Sequence, residues 1–239
     1  MKKRLSFLAL FCAALGSTAF ADAPKPLRHL VYNFTVGIST NTAIGSSGIG
    51  TVGSGIANFG AGIADKGTIT VDVLQAVDDK IGKALVLNVS EQAQNGRTAV
   101  ATPCIVYGDG SIVFDPTLKL NDEERSVIRY LGRGFVDTTK LDANNHWRFT
   151  KTNSQGNLQD DFTVKSATNG MLSIEVQSTM HIAGAQALDS TTNGTLVYDT
   201  SKTLLQKLHE ETLVRQEEGL SRYSTSRTNV DATLASDSM

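Results

Sequence analysis

The chain has 239 residues, with 22 Lys and Arg against 24 Asp and Glu and a formal net charge of −2. Three of the basic residues lie in an N-terminal segment that we expect to be removed, which leaves 19 of the 22 and a net charge of about −5. A protein that neutralises nucleic-acid phosphates needs a basic surface. The charge balance therefore argues against a nucleic-acid partner.

The first 21 residues have the pattern of a secretory signal peptide. Residues 2–4 are basic, residues 5–15 are apolar, and Ala19-Phe20-Ala21 is a small-x-small cleavage site. We expect cleavage after Ala21, a single β-rich domain over residues 22–239, and a periplasmic or secreted location, because the short lysine-rich signal is of bacterial type. Cleavage removes Cys12, so Cys104 is the only cysteine of the mature chain and no intramolecular disulfide is expected.

After the signal, several segments alternate between apolar and polar residues, which is the period of a strand with one buried face. The inward-facing positions of three such segments are Leu30, Tyr32, Phe34 and Val36, then Ile69, Val71 and Val73, then Leu85, Leu87 and Val89. These segments predict antiparallel sheet.

A glycine-rich, apolar stretch at about residues 39–66 separates the first two predicted strands. It contains the G-x-G-x-x-G pattern at Gly48, Gly50 and Gly53, but a strand rather than a helix follows, so a dinucleotide site is not expected and no cofactor is predicted. The stretch is interpreted as a long connection. Its apolar residues would lie over the sheet, cover a hydrophobic groove or contact a membrane surface peripherally, and they are Ile49, Val52, Ile56 and Phe59.

Four residue pairs have the composition of tight hairpin turns, in which positive φ favours Asn, Asp and Gly. They are Asn95-Gly96, Asp109-Gly110, Asn169-Gly170 and Asn193-Gly194. Turns at these positions predict a meander of hairpins.

One segment predicts an amphipathic helix near the middle of the chain. Asn121 is the expected N-cap, Glu124 completes a capping box, and the apolar positions Val127, Ile128, Leu131 and Phe135 follow at helical spacing. Gly132 and Gly134 are expected to end the helix.

The remainder has strand-like composition, except that residues 203–217 fit either a helix or a strand. We favour a long edge strand there. If it exposes free backbone groups, pairing with a partner protein gains weight, whereas a packed helix would weaken that hypothesis.

The sequence contains no constellation that fixes a chemical activity. The histidines His29, His146, His181 and His209 are scattered without metal-ligand spacing, so no metal site is predicted. Adjacent carboxylates such as Asp160 and Asp161 would point to opposite faces of a strand, which disfavours shared acid–base chemistry. Cys104 is interpreted as a core residue. No catalytic residue is assigned, and an enzyme is the less favoured interpretation.

These elements predict a mainly β (α+β) fold, with one large curved antiparallel sheet or half-barrel of about ten strands and one amphipathic helix. In the order of its elements, this arrangement resembles the half-barrel of periplasmic lipoprotein carriers and related lipid-binding envelope proteins. One helix covers only part of such a sheet, so the concave face would curl around it or leave a groove.

The first functional hypothesis is a non-enzymatic envelope protein that binds an apolar ligand or lipid on the concave face. The residues expected to line that site are Phe34, Val36, Ile69, Val71, Leu87, Val89, Val127, Ile128 and Leu131. The alternatives are a structural protein that pairs through exposed edge strands, and an exported hydrolase in which Cys104 or a serine approaches His146, His181 or His209.

Overall fold

The computed structural model describes residues 25–44, 62–78, 80, 82–95, 101–131, 145–153, 156–184, 187–217 and 222–239. The predicted signal peptide lies outside these ranges. Within them the chain forms eleven strands and one helix: β1 (Arg28–Ile44), β2 (Ile63–Asp78), β3 (Lys83–Ala93), β4 (Thr102–Tyr107), β5 (Ile112–Phe114), α1 (Asp122–Leu131), β6 (His146–Asn153), β7 (Gly156–Thr168), β8 (Met171–Ile182), β9 (Leu188–Asp199), β10 (Leu204–Glu217) and β11 (Arg222–Ser238).

All eleven strands belong to one open antiparallel sheet in the order β5-β4-β3-β2-β1-β11-β10-β9-β8-β7-β6. Strands consecutive in the chain are neighbours in the sheet, except for β5 and β6, which lie at its opposite edges, and the first and last strands, β1 and β11, pair in the centre. This confirms the predicted large antiparallel sheet with one helix near the middle, with eleven strands in place of about ten.

Contacts made by α1 show that the sheet is strongly curved. Asn121 hydrogen-bonds to Glu91 on β3, and Arg129 contacts Asp160 on β7. These strands are seven spacings apart, about 34 Å in a flat sheet, whereas a ten-residue helix is only about 15 Å long. The sheet therefore curls around the helix.

The two edges of the sheet also come within reach of one side chain. Lys151 Nζ on β6 lies 3.1 Å from Asp109 Oδ2 and 2.8 Å from Ser111 Oγ, both beside the β4–β5 turn. In a flat sheet the two edges would be ten spacings, or about 48 Å, apart. Curvature thus brings the opposite edges together, although they do not form a common ladder.

The core fills the concave side of this sheet. Alternating residues of β1, β2 and β3 point inward, as the sequence predicts, and pack with the apolar side of α1. Leu87, Val127 and Ile128 are completely buried. Burying such side chains is the main favourable contribution to folding, at roughly 1.5–3 kcal/mol each.

The helix begins as predicted from its capping box. Glu124 Oε2 accepts a hydrogen bond from the backbone N–H of Asn121 at 2.8 Å, and the N–H of Arg125 donates to the Asn121 carbonyl. The helix ends at Leu131, and the expected terminating glycines and Phe135 lie outside the described residues. Among the described residues, no helix has the length and apolar character needed to cross a membrane.

Two of the predicted turns are confirmed. Asn169 and Gly170 have φ values of 51° and 76° and connect β7 to β8 directly. The β4–β5 hairpin turns at Asp109-Gly110 as predicted, but four residues, 108–111, separate the strands instead of two. Within them Gly110 N–H donates to the Tyr107 carbonyl, and Gly110 has a φ of 76°. At the third turn, Asn95 follows β3 and Gly96 lies outside the described residues.

The turn predicted at Asn193-Gly194 is wrong, because both residues lie inside β9. Gly194 is needed there for a close approach rather than for positive φ. A Cβ atom at this position would be 2.7 Å from the His209 carbonyl oxygen and 3.0 Å from Glu210 Cγ on β10. The same dipeptide thus serves two different purposes in this chain.

The prediction for residues 203–217 is half correct. They form strand β10, but β10 is not an edge strand, since it pairs with β9 on one side and β11 on the other. The actual edges are the short β5 and the eight-residue β6.

The strands also extend further into the glycine-rich region than the alternation predicts. β1 continues to Ile44 and β2 begins at Ile63, so residues 39–44 and 63–66 are in the sheet. Ile49, Val52, Ile56 and Phe59, the expected covering residues, lie outside the described residues.

Candidate ligand-binding cavity

An open cavity of about 490 Å³ lies where the last turn of α1 faces the ends of four strands. The lining comes from the start of β1, the end of β2, the start of β3, the start of β10 and the end of α1. Its residues are Arg28, Leu30, Val73, Ala76, Val77, Asp78, Lys83, Ala84, Leu85, Leu131, Thr203 and Leu204. This volume is in the range of sites that bind small molecules.

The cavity is apolar because it continues the inward-facing rows of the core. Leu30 lies on the same face of β1 as Phe34, and Val73 lies on the same face of β2 as Val71. α1 contributes Leu131, the last of its described residues, to the lining. Eight of the twelve lining residues are Ala, Val or Leu.

Further along the strands, the inner face becomes polar. Asp160, Ser178, Thr192, Thr212 and Thr228 are direct neighbours on five adjacent strands, from β7 to β11. Thr192 and Thr212 share a hydrogen bond of 2.9 Å between their hydroxyls. The concave face is therefore apolar at the cavity and polar further along the strands.

A bidentate ion pair fixes one side of the cavity mouth. Arg28 donates from Nε and Nη2 to the two carboxylate oxygens of Asp237, at 2.7 and 2.9 Å, and from Nη1 to the Lys202 carbonyl at 2.8 Å. The hydrogen bond from Arg28 holds the pKa of Asp237 below its ordinary value, against the opposing effect of burial. These contacts join β1 and β11 to the β9–β10 turn.

That turn carries a strained residue that lines the cavity. Thr203 has a φ of 53°, which is unfavourable for a β-branched side chain. The turn is held by Asp199 Oδ1, which accepts hydrogen bonds from the Ser201 amide, the Ser201 hydroxyl and the Lys202 amide. The pKa of Asp199 is lowered, mainly by the hydroxyl hydrogen bond from Ser201.

The structure brings one of the nine expected ligand-lining residues into this cavity. Leu131 lines it, whereas the other eight, Phe34, Val36, Ile69, Val71, Leu87, Val89, Val127 and Ile128, are buried in the closed core. Periodicity identifies the correct faces of β1, β2 and α1. It does not show where along those faces the helix leaves space.

The glycine-rich stretch is attached far from this cavity. Its flanking residues, Ile44 and Ile63, are at the opposite ends of β1 and β2 from Arg28 and Asp78. The distance along β1 is about 50 Å at the rise of an extended strand. The described lining residues of the cavity belong to other segments of the chain.

A buried charged cluster lies beside the core and was not predicted from the sequence. Asp160 and Glu210 are 0% and 1% exposed, and Arg129 of α1 approaches them at 3.4 and 3.8 Å. Tyr130 donates a hydrogen bond to Glu210. Burial works to lower the pKa of Arg129, but Tyr130, Glu210 and Asp160 together raise it above its ordinary value.

The four histidines each lie beside an aspartate on a neighbouring strand. His29, His181 and His209 contact Asp72, Asp189 and Asp231 through Nδ1 at 2.6, 2.6 and 2.7 Å, and His146 contacts Asp161 through Nε2 at 3.1 Å. Among the described residues, no group of three or more His, Cys, Asp or Glu side chains is arranged to hold a metal ion.

Cys104 is a core residue, in agreement with its sequence interpretation. It lies on β4 and is 3% exposed. Burial raises the pKa of its thiol to about 12, and the charge of Glu124 acts in the same direction. A thiolate nucleophile is therefore disfavoured at this position.

A second cavity of about 410 Å³ lies near the other end of the sheet, at the ends of β6, β7 and β8. Its lining mixes Leu158, Met180 and Ile182 with Lys151 and His181. Lys151 and His181 already pair with Asp109 and Asp189, so the two ionisable side chains of this cavity are engaged in contacts within the protein.

No protein-family model matches this chain, and no curated protein matches it significantly.

Proposed function

We propose that this is an exported, non-enzymatic protein that binds an apolar ligand or lipid in the cavity beside Leu131. The observation that supports it most directly is an open, largely apolar space on the concave face, formed by five segments and sized for a small ligand. The pattern of residues 1–21 supports export to the periplasm or the cell exterior.

The other functional hypotheses have weaker support. Pairing with a partner was linked to free backbone groups in residues 203–217, but β10 is paired on both sides. The hydrolase hypothesis required a serine or cysteine near a histidine. Cys104 is buried in the core, and no serine or cysteine of the described residues hydrogen-bonds to His181 or His209. We therefore retain ligand binding as the function best supported by the geometry.

The proposal is tested by analysing what the purified protein carries. Residues 22–239 would be prepared from the periplasm of an expression host, examined by native mass spectrometry and extracted with organic solvent. We expect one lipid or fatty-acid molecule per chain, or uptake of one when lipids are added. A protein that stays ligand-free after incubation with lipids would overturn the proposal.

A pair of variants locates the bound molecule. Ala76 is exposed in the cavity lining, so Ala76→Trp should fill the space and abolish ligand binding while the protein remains folded. Ala167 is also an exposed strand alanine but lies outside the cavity, and Ala167→Trp should bind normally. Equal binding by both variants would place the ligand elsewhere on the molecule.

A further inference from the structure

The charges around the cavity mouth indicate which class of ligand the cavity binds, an inference that rests on the proposed function. We infer that the ligand is an amphiphile with an anionic head group, whose apolar chain occupies the cavity and whose head group contacts Lys83 and Lys202 at the mouth.

The interior and the mouth of the cavity differ in polarity. Leu30, Val73, Leu131 and Leu204 form apolar walls, while the ionisable lining residues are Arg28, Asp78 and Lys83. Asp78 and Lys83 are exposed and face each other as cross-strand partners at the ends of β2 and β3. An apolar wall with charged groups at its rim is suited to a molecule that has an apolar chain and a polar head.

The carboxylates on the opposite side of the mouth are already engaged. Both oxygens of Asp237 accept hydrogen bonds from Arg28, and Lys202 Nζ lies 3.6 Å from the same carboxylate. One carboxylate thus serves two cations. Asp199 is 8% exposed and accepts three hydrogen bonds within its own turn, so it is directed away from a ligand.

The charged donors that remain accessible belong to lysines. Arg28 uses Nε, Nη1 and Nη2 for Asp237 and the Lys202 carbonyl. Lys202 is 55% exposed and beyond hydrogen-bond distance of Asp237, and within the described part of the chain Lys83 takes part in no ion pair. Among the described residues at the mouth, these two ammonium groups, on the lining residue Lys83 and on Lys202 next to the lining residue Thr203, outnumber the accessible carboxylate of Asp78 and favour an anionic head group.

Ligands of equal chain length and different head group provide the test. Laurate, dodecyl phosphate, dodecanol and dodecylamine would be titrated into residues 22–239 by calorimetry, below their aggregation concentrations. We expect the two anions to bind about two- to fivefold more tightly than dodecanol, which is the effect of a partly exposed charge contact, and dodecylamine to bind least. The ratio of laurate to dodecyl phosphate distinguishes a fatty-acid carboxylate from a phosphate head group.

Two substitutions that change the net charge at the cavity mouth in opposite directions provide a second test. Lys83→Gln should weaken laurate binding about two- to fivefold and leave dodecanol unchanged, whereas Asp78→Asn should strengthen laurate binding. Lys207→Gln, at an exposed lysine of β10 outside the cavity, is the control and should have no effect.

The inference and the proposed function fail in different ways. Equal affinity for laurate and dodecanol, or a preference for dodecylamine, would overturn the anionic head group while apolar binding stands. If none of the four ligands binds, the cavity is not a binding site and the proposed function itself is wrong.

Discussion

Arg129 shows how one residue links the helix to two distant strands. It approaches Asp160 on β7 and Glu210 on β10, and both carboxylates are buried. Removing charges from water costs free energy, so a buried ion pair adds little net stability when it is intact. Losing one partner is strongly destabilising, because the other charge is left buried and unpaired. The cluster therefore fixes where α1 lies on the sheet more than it stabilises the fold.

We expect Arg129→Met to lower the free energy of unfolding by about 3–5 kcal/mol, because two buried carboxylates lose this cation. The measurement is urea denaturation of residues 22–239, followed by the fluorescence of Trp147, the only tryptophan of the chain. Arg148 pairs with Asp161 on the outer face and is 56% exposed, so Arg148→Met is the matched control and should cost at most about 1 kcal/mol. Similar losses for the two variants would contradict this account.

Asp160 and Asp161 show which properties of single residues can be predicted from the sequence and which cannot. Alternation along a strand predicts that they point to opposite faces, and the structure confirms it, since Asp160 is buried and Asp161 contacts Arg148 and Gln159. The contact between Asp160 and Arg129 was not predictable in the same way. It depends on the position of α1 relative to β7, which no local pattern encodes.

At the scale of elements, the features that could be predicted are those that depend on residues close together in the chain. The capping box at Asn121 and Glu124 and the turn at Asn169-Gly170 depend on residues within a few positions of one another. Asn193-Gly194 has the same local signal, but here tertiary packing determines the outcome. β10 passes so close to Gly194 that a side chain does not fit.

This explanation predicts opposite effects for two strand glycines. Gly194→Ala should destabilise the protein by about 1–3 kcal/mol, because the new Cβ would displace the backbone of β10. Gly37→Ala on β1 meets nothing within 4 Å and should be neutral or stabilising by up to about 1 kcal/mol. Chemical denaturation of both variants checks the prediction, and an unchanged stability for Gly194→Ala would refute the close approach.

At the scale of the whole molecule, the cavity could be predicted only in part. Its apolar walls follow from alternating residues in β1 and β2, which the sequence displays. Its position depends on where α1 ends and on how five separate segments meet. Curvature decides both, and curvature results from packing the whole sheet around one helix.

The pairing of the first strand with the last makes a further prediction. The pKa of Asp237 is depressed by Arg28, so the pair stabilises the folded protein above the pKa of an unfolded aspartate, about 3.9, and this contribution is lost as pH falls through the lower folded value. Asp237→Asn should therefore cost about 1–2 kcal/mol at pH 7.

The cost of Asp237→Asn should shrink when denaturation is measured below about pH 4. Asp189→Asn, at a carboxylate 65% exposed, is the control and should cost less than about 1 kcal/mol at pH 7. The assigned ion pair would be contradicted if the free energies of unfolding of Asp237→Asn and the unmodified protein differed by the same amount at pH 7 and at pH 3.

The central ladder between β1 and β11 also constrains how the protein folds. Sixteen residue pairs join Arg222–Ser238 to a strand that precedes it by almost the whole chain. Closing a loop of that length costs roughly 4–5 kcal/mol of chain entropy before the ladder compensates for it. Hairpins on either side of the centre need only local pairing, whereas the two halves of the sheet join only when β11 pairs with β1.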